Sequence, residues 1–188
     1  MSTDAPQTIA IVAPDLSAPG GVKTVVRFLC DALRRSERYR PKLFSVALSP
    51  KDRASVRLLS PQTWWNGVGV CEETTDDFSY RHVGAVGTEV EYQRYKPRSV
   101  LTRRLNDADL VQVVAGTPAW AQLCRDVERP VALQVATLAR VERDTILSNG
   151  SGPLNLWRRA MTRLTDRLDR RALAHVDVAF VENAWMED

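Results

Sequence analysis

The sequence predicts an α/β protein: a three-layer, Rossmann-like domain with a mostly parallel sheet of about six to seven strands and helices on both faces. Short apolar runs rich in β-branched residues alternate with helical patterns along the chain, and the first run leads through a glycine loop into a helix. The 188 residues, 44% of them hydrophobic, suffice for one complete domain with a sizeable core.

The first β-α-β unit has the clearest pattern. Residues 8–13 form a continuous apolar run, typical of a strand buried on both faces. Residues 14–21 contain prolines and glycines that end it, and apolar residues then recur at helical spacing through Arg35. Pro41 is expected to separate this helix from a second parallel strand at 43–48.

The rest of the chain continues the alternation less regularly. A short helix at 54–59, a loop at 61–67, a weak strand at 80–86 and a helix from Pro97 or Arg98 onward are expected. Strands are predicted at 109–115, 130–136 and 176–181, and helices at 118–127 and 153–174.

Charge and cysteine content exclude several classes of protein. The balance of 26 Lys and Arg against 23 Asp and Glu, a net charge of +3, is too mild for a dedicated nucleic-acid binder. The three cysteines are widely spaced and form no metal-binding motif, so no metal and a reducing compartment are expected. No stretch approaches the roughly 18 apolar residues that cross a bilayer, and the N-terminus does not read as a signal peptide, so the predicted location is cytoplasmic.

The helix predicted at 153–174 carries six arginines and two aspartates, a net charge of +4. One interpretation places the arginines on the solvent face of a helix that covers the sheet. The other is peripheral contact with an anionic membrane surface or a partner. The arginines concerned are Arg158, Arg159, Arg163 and Arg167.

Ligands of open parallel sheets bind beyond the carboxyl ends of the strands, so residues that directly follow the apolar runs are the candidates. After the first strand these are Asp15 and the segment Gly20, Gly21, Val22 and Lys23. After later strands they are Gly116, Thr117, Thr137, Arg140, Arg143 and Asn183.

Two of these groups suggest a chemistry. Gly20 and Gly21 open a helix whose N–H groups could face a phosphate, yet the segment is neither G-x-G-x-x-G nor a P-loop and could be only a tight turn. Arg140 and Arg143 could clamp an anionic or hydroxyl-rich ligand, or lie in a solvated loop.

Other residues give weaker signals. His82 and His175 stand alone in the sequence, and no nucleophile with an activating base is recognisable. Trp64 and Trp65 could stack on a sugar ring, although paired tryptophans more often cover an apolar surface.

The order of the motifs resembles the opening half of family-four, retaining GT-B glycosyltransferases. Residues 9–14, IAIVAP, and 19–29, PGGVKTVVRFL, resemble the strand, Gly-Gly loop and helix with which that family begins. Residues 106–114, NDADLVQVV, and 171–181, RALAHVDVAFV, resemble its later strand segment and the last helix and strand of its N-terminal domain. The resemblance covers nearly the whole chain.

The resemblance implies that residues 1–188 are the acceptor-side N-terminal domain of a two-domain enzyme, whose C-terminal domain holds a nucleotide sugar and lies outside this chain. It places Gly20, Gly21, Val22 and Lys23 beside the donor diphosphate, and it implies no metal and no covalently bound cofactor. The acceptor would be a glycan, a lipid-linked sugar or a small molecule. The family often has a histidine after the strand at 130–136, where this chain has Thr137, so Thr137, Arg140 and Arg143 are expected in its place. The expected acceptor-binding residues are these three together with Asp15, Gly116, Thr117 and Asn183.

Two alternatives remain beside this interpretation. A non-catalytic Rossmann-like module would bind a ligand or a partner without transferring anything. A nucleotide-dependent oxidoreductase is disfavoured, because the glycine fingerprint is incomplete and no acidic residue ends the second strand near Leu48. The sequence also predicts that the chain by itself does not complete a glycosyl transfer.

Overall fold

The computed structural model describes residues 5–75, 78–148 and 153–181. Within them, seven strands form one sheet in the order β3-β4-β2-β1-β5-β6-β7, and every neighbouring pair is parallel except β3 with β4. The strands are β1 Gln7–Pro14, β2 Tyr39–Val46, β3 Val70–Thr74, β4 Ser79–Val83, β5 Leu110–Ala115, β6 Val131–Val135 and β7 Val178–Val181. The predicted α/β, Rossmann-like fold class is confirmed.

Helices cover both faces of the sheet. They are α1 Gly21–Arg35, α2 Glu91–Arg94, α3 Ser99–Asn106, α4 Ala139–Ser148 and α5 Pro153–Leu173, with a 3-10 helix at Pro118–Cys124. Side chains alternate along β1, so Ile9 and Ile11 pack with α1 on one face, whereas Ala10 and Val12 join the cluster that contains α3, α5 and the 3-10 helix.

The sheet order defines a switch point. From β1 the chain crosses to β2 through α1, and from β5 it crosses in the opposite direction to β6. Loops that leave β1 and β5 therefore diverge to opposite faces, and a crevice opens between them at the carboxyl ends of these two strands.

Several local predictions were wrong. Pro41 lies inside β2. Its missing N–H removes no hydrogen bond with β4, because β4 pairs with β2 only from Phe44 onward. Residues 54–59 form no helix: Val56 bridges to Val86, and its N–H donates to the Ala85 carbonyl at 2.8 Å.

Three elements differ from the predicted pattern because their sequences are short or polar. β3 was missed since it is an exposed edge strand with Glu72 and Glu73 at its centre. α4 begins at Ala139, where a loop was expected after β6. The helix predicted at 118–127 is a 3-10 helix that ends at Cys124.

At the opposite edge of the sheet, β7 pairs only with β6 among the described strands. Val178 and Phe180 are 50% and 54% exposed, so this strand presents apolar surface on one side of the sheet. Asn183, predicted as an acceptor residue, lies outside the described residues. Within the described part of the chain, none of the helices is long and apolar enough to span a bilayer.

Candidate functional site

Hydrogen bonds fix the conformation of the loop after β1, which lies at the switch-point crevice. Asp15 has φ of +37°, and its N–H continues the sheet by donating to the Val46 carbonyl at 3.2 Å. Its Oδ1 accepts from the backbone N–H of Ser17 at 3.3 Å and from the Ser17 hydroxyl. Leu16 is fully buried and anchors the loop. One oxygen of the predicted acceptor residue Asp15 is thus engaged in its own turn.

The N-terminus of α1 follows this loop and has no cap from a side chain. Gly20 precedes the helix in an extended conformation, and the first turn holds no acidic residue. A Cβ at Gly20 or Gly21 would meet no atom within 4 Å, so the protein's own packing does not require glycine at either position. The N–H groups at Gly21, Val22 and Lys23 begin a 15-residue helix, where an anion is stabilised by the helix dipole.

Basic side chains lie at the same helix end. A shallow cavity of about 220 Å³ is lined by Pro19, Gly20, Lys23, Thr24 and Arg27. The sequence prediction included Lys23 but missed Arg27. Its position four residues after Lys23, which puts both on one helix face, was the available signal.

Gly116, Thr117 and Thr137 lie across the crevice, as predicted for residues that follow β5 and β6. The Thr137 N–H donates to the Gly116 carbonyl at 3.0 Å and ties the two strand ends together. Gly116 has open space where a Cβ would stand, whereas Thr117 is buried. Of this group, Gly116 and Thr137 are the ones with surface toward solvent.

The helix N-termini on this side are occupied by a carboxylate of the protein itself. Asp169, on α5 and 1% exposed, accepts from the N–H of Ala119 at 2.7 Å through Oδ1 and from the N–H of Ala139 at 2.9 Å through Oδ2. It joins the 3-10 helix after β5 to α4 after β6. Burial raises the pKa of Asp169 to about 6, although the two N–H groups act in the opposite direction.

Sequence reasoning missed Asp169 because it was counted among the charges of an amphipathic helix. Leu168 and Ala172, its neighbours on the helix, are buried in the core, and Thr165 one turn earlier is also buried. An aspartate on the apolar side of a helical pattern was the signal that could have identified it.

One member of the suggested Arg140 and Arg143 clamp already has a partner within the protein. Arg140 is exposed, whereas Arg143 is half-buried and forms an ion pair with Glu91 of α2. Glu91 also accepts from the Thr165 hydroxyl at 3.3 Å, so Arg143 contributes to the junction of α2, α4 and α5. Arg140 is the member of the pair whose side chain is open to a ligand.

His82, which stands alone in the sequence, belongs to a polar network behind the glycine loop. Its Nε2 lies 2.6 Å from Asp52 Oδ2, and its Nδ1 lies 3.2 Å from Ser45 Oγ. Ser45 Oγ in turn accepts from the Leu16 N–H at 3.1 Å. Ser45 is 1% exposed, so the network positions the loop and offers no accessible nucleophile.

The charges around His82 favour its protonated form. Burial alone lowers the His82 pKa, but the hydrogen bond and charge of Asp52, with Glu73 and Asp15, raise it above 6.5. Burial likewise raises the pKa of Asp52, and the hydrogen bonds from His82 and Ser55 outweigh it and bring this pKa below 3.8. Each member of the pair therefore favours the charged form of the other.

His82→Gln is expected to lower the free energy of unfolding by about 1–3 kcal/mol at mildly acidic pH. Because the folded His82 pKa lies above 6.5, its contribution is fully present below 6.5 and is lost as the pH rises through the folded value. Urea unfolding of both proteins from pH 5 to 9 measures this. A difference that stays constant over that range would contradict the ion pair.

The two tryptophans and the second histidine are exposed side chains. Trp64 and Trp65 are 57% and 91% exposed, so the expectation that they cover an apolar surface is wrong for Trp65. The indole N–H of Trp64 donates to the Arg57 carbonyl at 2.8 Å. His175 is exposed, with its ring 3.2 Å from the Arg125 carbonyl.

Arginines of α5 lie on the outside of the protein. Arg158, Arg159, Arg163 and Arg167 are all exposed, while Leu168 and Ala172 face the core. In the described segments, no three His, Cys, Asp or Glu side chains are grouped so that they could hold a metal ion.

The fold and the crevice define a Rossmann-like α/β domain with a cationic helix N-terminus at its switch point. A scan against protein-family models, a search of curated proteins and a search of solved structures each found no significant match.

Proposed function

We propose that the chain is the N-terminal, acceptor-side domain of a retaining glycosyltransferase, which transfers a sugar from a nucleotide-sugar donor to an acceptor hydroxyl. The observation that supports this best is the uncapped N-terminus of α1, with Lys23 and Arg27 beside it, at the switch point of the sheet. The partner would be a C-terminal, donor-binding domain in the same or a separate chain.

A retaining transfer has to stabilise the departing diphosphate and hold the acceptor hydroxyl close to the anomeric carbon. N–H groups of Gly21, Val22 and Lys23 and the Lys23 ammonium would supply the first function without a metal. Gly116, Thr137 and Arg140 would hold the acceptor across the crevice. Across the crevice, Asp169 already accepts hydrogen bonds from the N-termini of the 3-10 helix and α4. The diphosphate would therefore bind at the N-terminus of α1.

A non-catalytic binding module is the alternative, and one feature favours it. Val178 and Phe180 of β7 are at least half exposed, and so are Leu156 and Trp157 of α5. Exposed apolar side chains of this kind suit contact with a protein partner. Stable association with a separately encoded domain, without any transfer, would support the module.

Contact with the inner face of the cytoplasmic membrane belongs to the same proposal if the acceptor is lipid-linked. Arg158, Arg159, Arg163 and Arg167 would face anionic headgroups. Flotation with anionic liposomes that is unaffected by Arg→Glu changes at these positions would exclude that contact.

The test of the diphosphate site is an amide NMR titration of the chain with UDP. We expect the Gly21, Val22 and Lys23 amides to shift, and Lys23→Gln to weaken binding about two- to five-fold. Gly21→Ala adds a methyl group where the diphosphate would approach. It should weaken binding while leaving the melting temperature unchanged or slightly higher, because the position is open.

Lys51→Gln is the matched control, because Lys51 is an exposed lysine outside the cavity at α1. Amides at Gly21–Lys23 that do not respond to UDP, or equal effects of the two lysine variants, would contradict the proposed site. Incubation of the chain alone with nucleotide sugars and acceptors is expected to give no product, and donor-dependent product would contradict the division into two halves.

A further inference from the structure

A second cavity, of about 400 Å³, lies apart from the α1 helix end, beyond the carboxyl ends of β2 and β4. Val68, Val86 and Val100 form part of its apolar lining, and Gln93, Lys96, Arg98 and Ser99 supply polar groups. Its size and its few polar groups on an apolar wall are those of a small-molecule site.

Arg98 is a buried cation in the wall of this cavity. The residue is 7% exposed, and its guanidinium donates to the carbonyls of Val83 at 2.8 Å, Ala47 at 3.3 Å and Arg94 at 3.1 Å. Its Nε–H is buried and has no acceptor. No carboxylate of the described residues lies within ion-pair distance of it. Burial lowers its pKa to about 10, and the charge of the more distant Asp52 carboxylate acts in the opposite direction. A buried positive charge without a direct ion-pair partner is unfavourable.

Two further positive features meet at the same place. α3 begins at Ser99 with no side-chain cap and no acidic residue in its first turn, and Ser99 and Val100 line the cavity. Lys96 also lines the cavity; its ammonium lies 5.1 Å from the centre of the Tyr92 ring, at the border with a neighbouring cavity that both of these residues line. The lining includes no acidic side chain.

We propose that this cavity binds the phosphate group of a small phosphorylated molecule. The phosphate would lie beside Arg98 and the first N–H groups of α3, with Lys96 as a second cation, and the carbon part would contact Val68, Val86 and Val100. The anion would supply the direct ion-pair partner that Arg98 lacks among the described residues. The site does not depend on glycosyl transfer, since it uses α3 and not the N-terminus of α1.

Inorganic phosphate is the first probe, followed by glycerol 3-phosphate, in an amide NMR titration of the whole chain at constant ionic strength. We expect the Ser99 and Val100 amides to shift and saturate, with tighter binding of glycerol 3-phosphate because its carbons reach the apolar wall. Lys96→Gln should weaken binding about two- to five-fold, and Lys51→Gln, at an exposed lysine elsewhere, should leave it unchanged.

Arg98→Met should weaken phosphate binding at least about ten-fold. Because Arg98 also donates to three carbonyls, circular dichroism is used to check that the Arg98→Met variant is folded. Lys96→Gln tests the site even if the Arg98→Met variant does not fold. Ser99 and Val100 amides that stay still, that respond equally to chloride, or that shift identically in the two lysine variants would overturn the proposal. A phosphate response confined to the Gly21–Lys23 amides would also overturn it, while still supporting an anion site at the N-terminus of α1.

Discussion

Gly84→Ala is expected to destabilise the protein by about 3 kcal/mol or more, because the new methyl group has no space. A Cβ at Gly84 would stand 1.8 Å from the Ala54 carbonyl oxygen, 2.3 Å from its carbon and 2.8 Å from the Ser55 nitrogen. All three are backbone atoms, so no side-chain rotation relieves the overlap. Urea unfolding followed by circular dichroism measures the loss.

The same substitution should also loosen the His82 network. Val56 is held against the residues that follow β4 by two backbone hydrogen bonds, from its N–H to the Ala85 carbonyl and from the Gly87 N–H to its carbonyl, each 2.8 Å long. Asp52 lies on the same segment as Val56. Gly116→Ala is the matched control, because its Cβ meets no atom within 4 Å and its φ lies outside the left-handed region. Similar losses of unfolding free energy in the two variants would mean that the close contact between Gly84 and the Ala54 backbone does not determine stability.

Elements with strong local patterns could be predicted from the sequence. β1, α1, β5 and β6 each have a continuous apolar run or a helical spacing that consecutive residues determine, and the observed bounds differ by a few residues. The extended segment near Val56 and the edge strand β3 depend instead on pairing with distant residues, Val86 and β4 respectively. No local pattern identifies such a partner.

The residues of the candidate site likewise divide into those that the local sequence predicts and those that only the folded chain brings together. Gly20 to Lys23 could be placed because a loop between a strand and a helix lies at the sheet edge whatever the rest of the chain does. The His82 and Asp52 pair could not, since 30 residues separate its members. Arg143 was predicted as a ligand residue, but its ion pair with Glu91 joins positions 52 residues apart and only the folded chain reveals it.

Asp169→Ala is expected to cost about 2–4 kcal/mol of unfolding free energy, because it leaves the N–H groups of Ala119 and Ala139 buried without an acceptor. Asp169→Asn keeps one acceptor oxygen and should lose less unfolding free energy than Asp169→Ala. Denaturant unfolding of the three proteins gives the values. The neighbouring Asp166→Ala is the control, since Asp166 pairs with the exposed Arg170 and its loss should change stability by less than about 1 kcal/mol.

The pH dependence of these variants separates the carboxylate's charge from its hydrogen bonds. The Asp169 pKa is about 6 in the folded protein, above the ordinary value of 3.8, so the unfolded chain gives up this proton first as the pH rises. The contribution of Asp169 to stability therefore falls between about pH 4 and pH 6. Asp169→Asn does not titrate, so its deficit relative to the unsubstituted protein should be larger at pH 4 than at pH 7. A deficit that grows toward pH 7 would mean that the two N–H groups keep the folded carboxylate ionised and that burial does not raise its pKa.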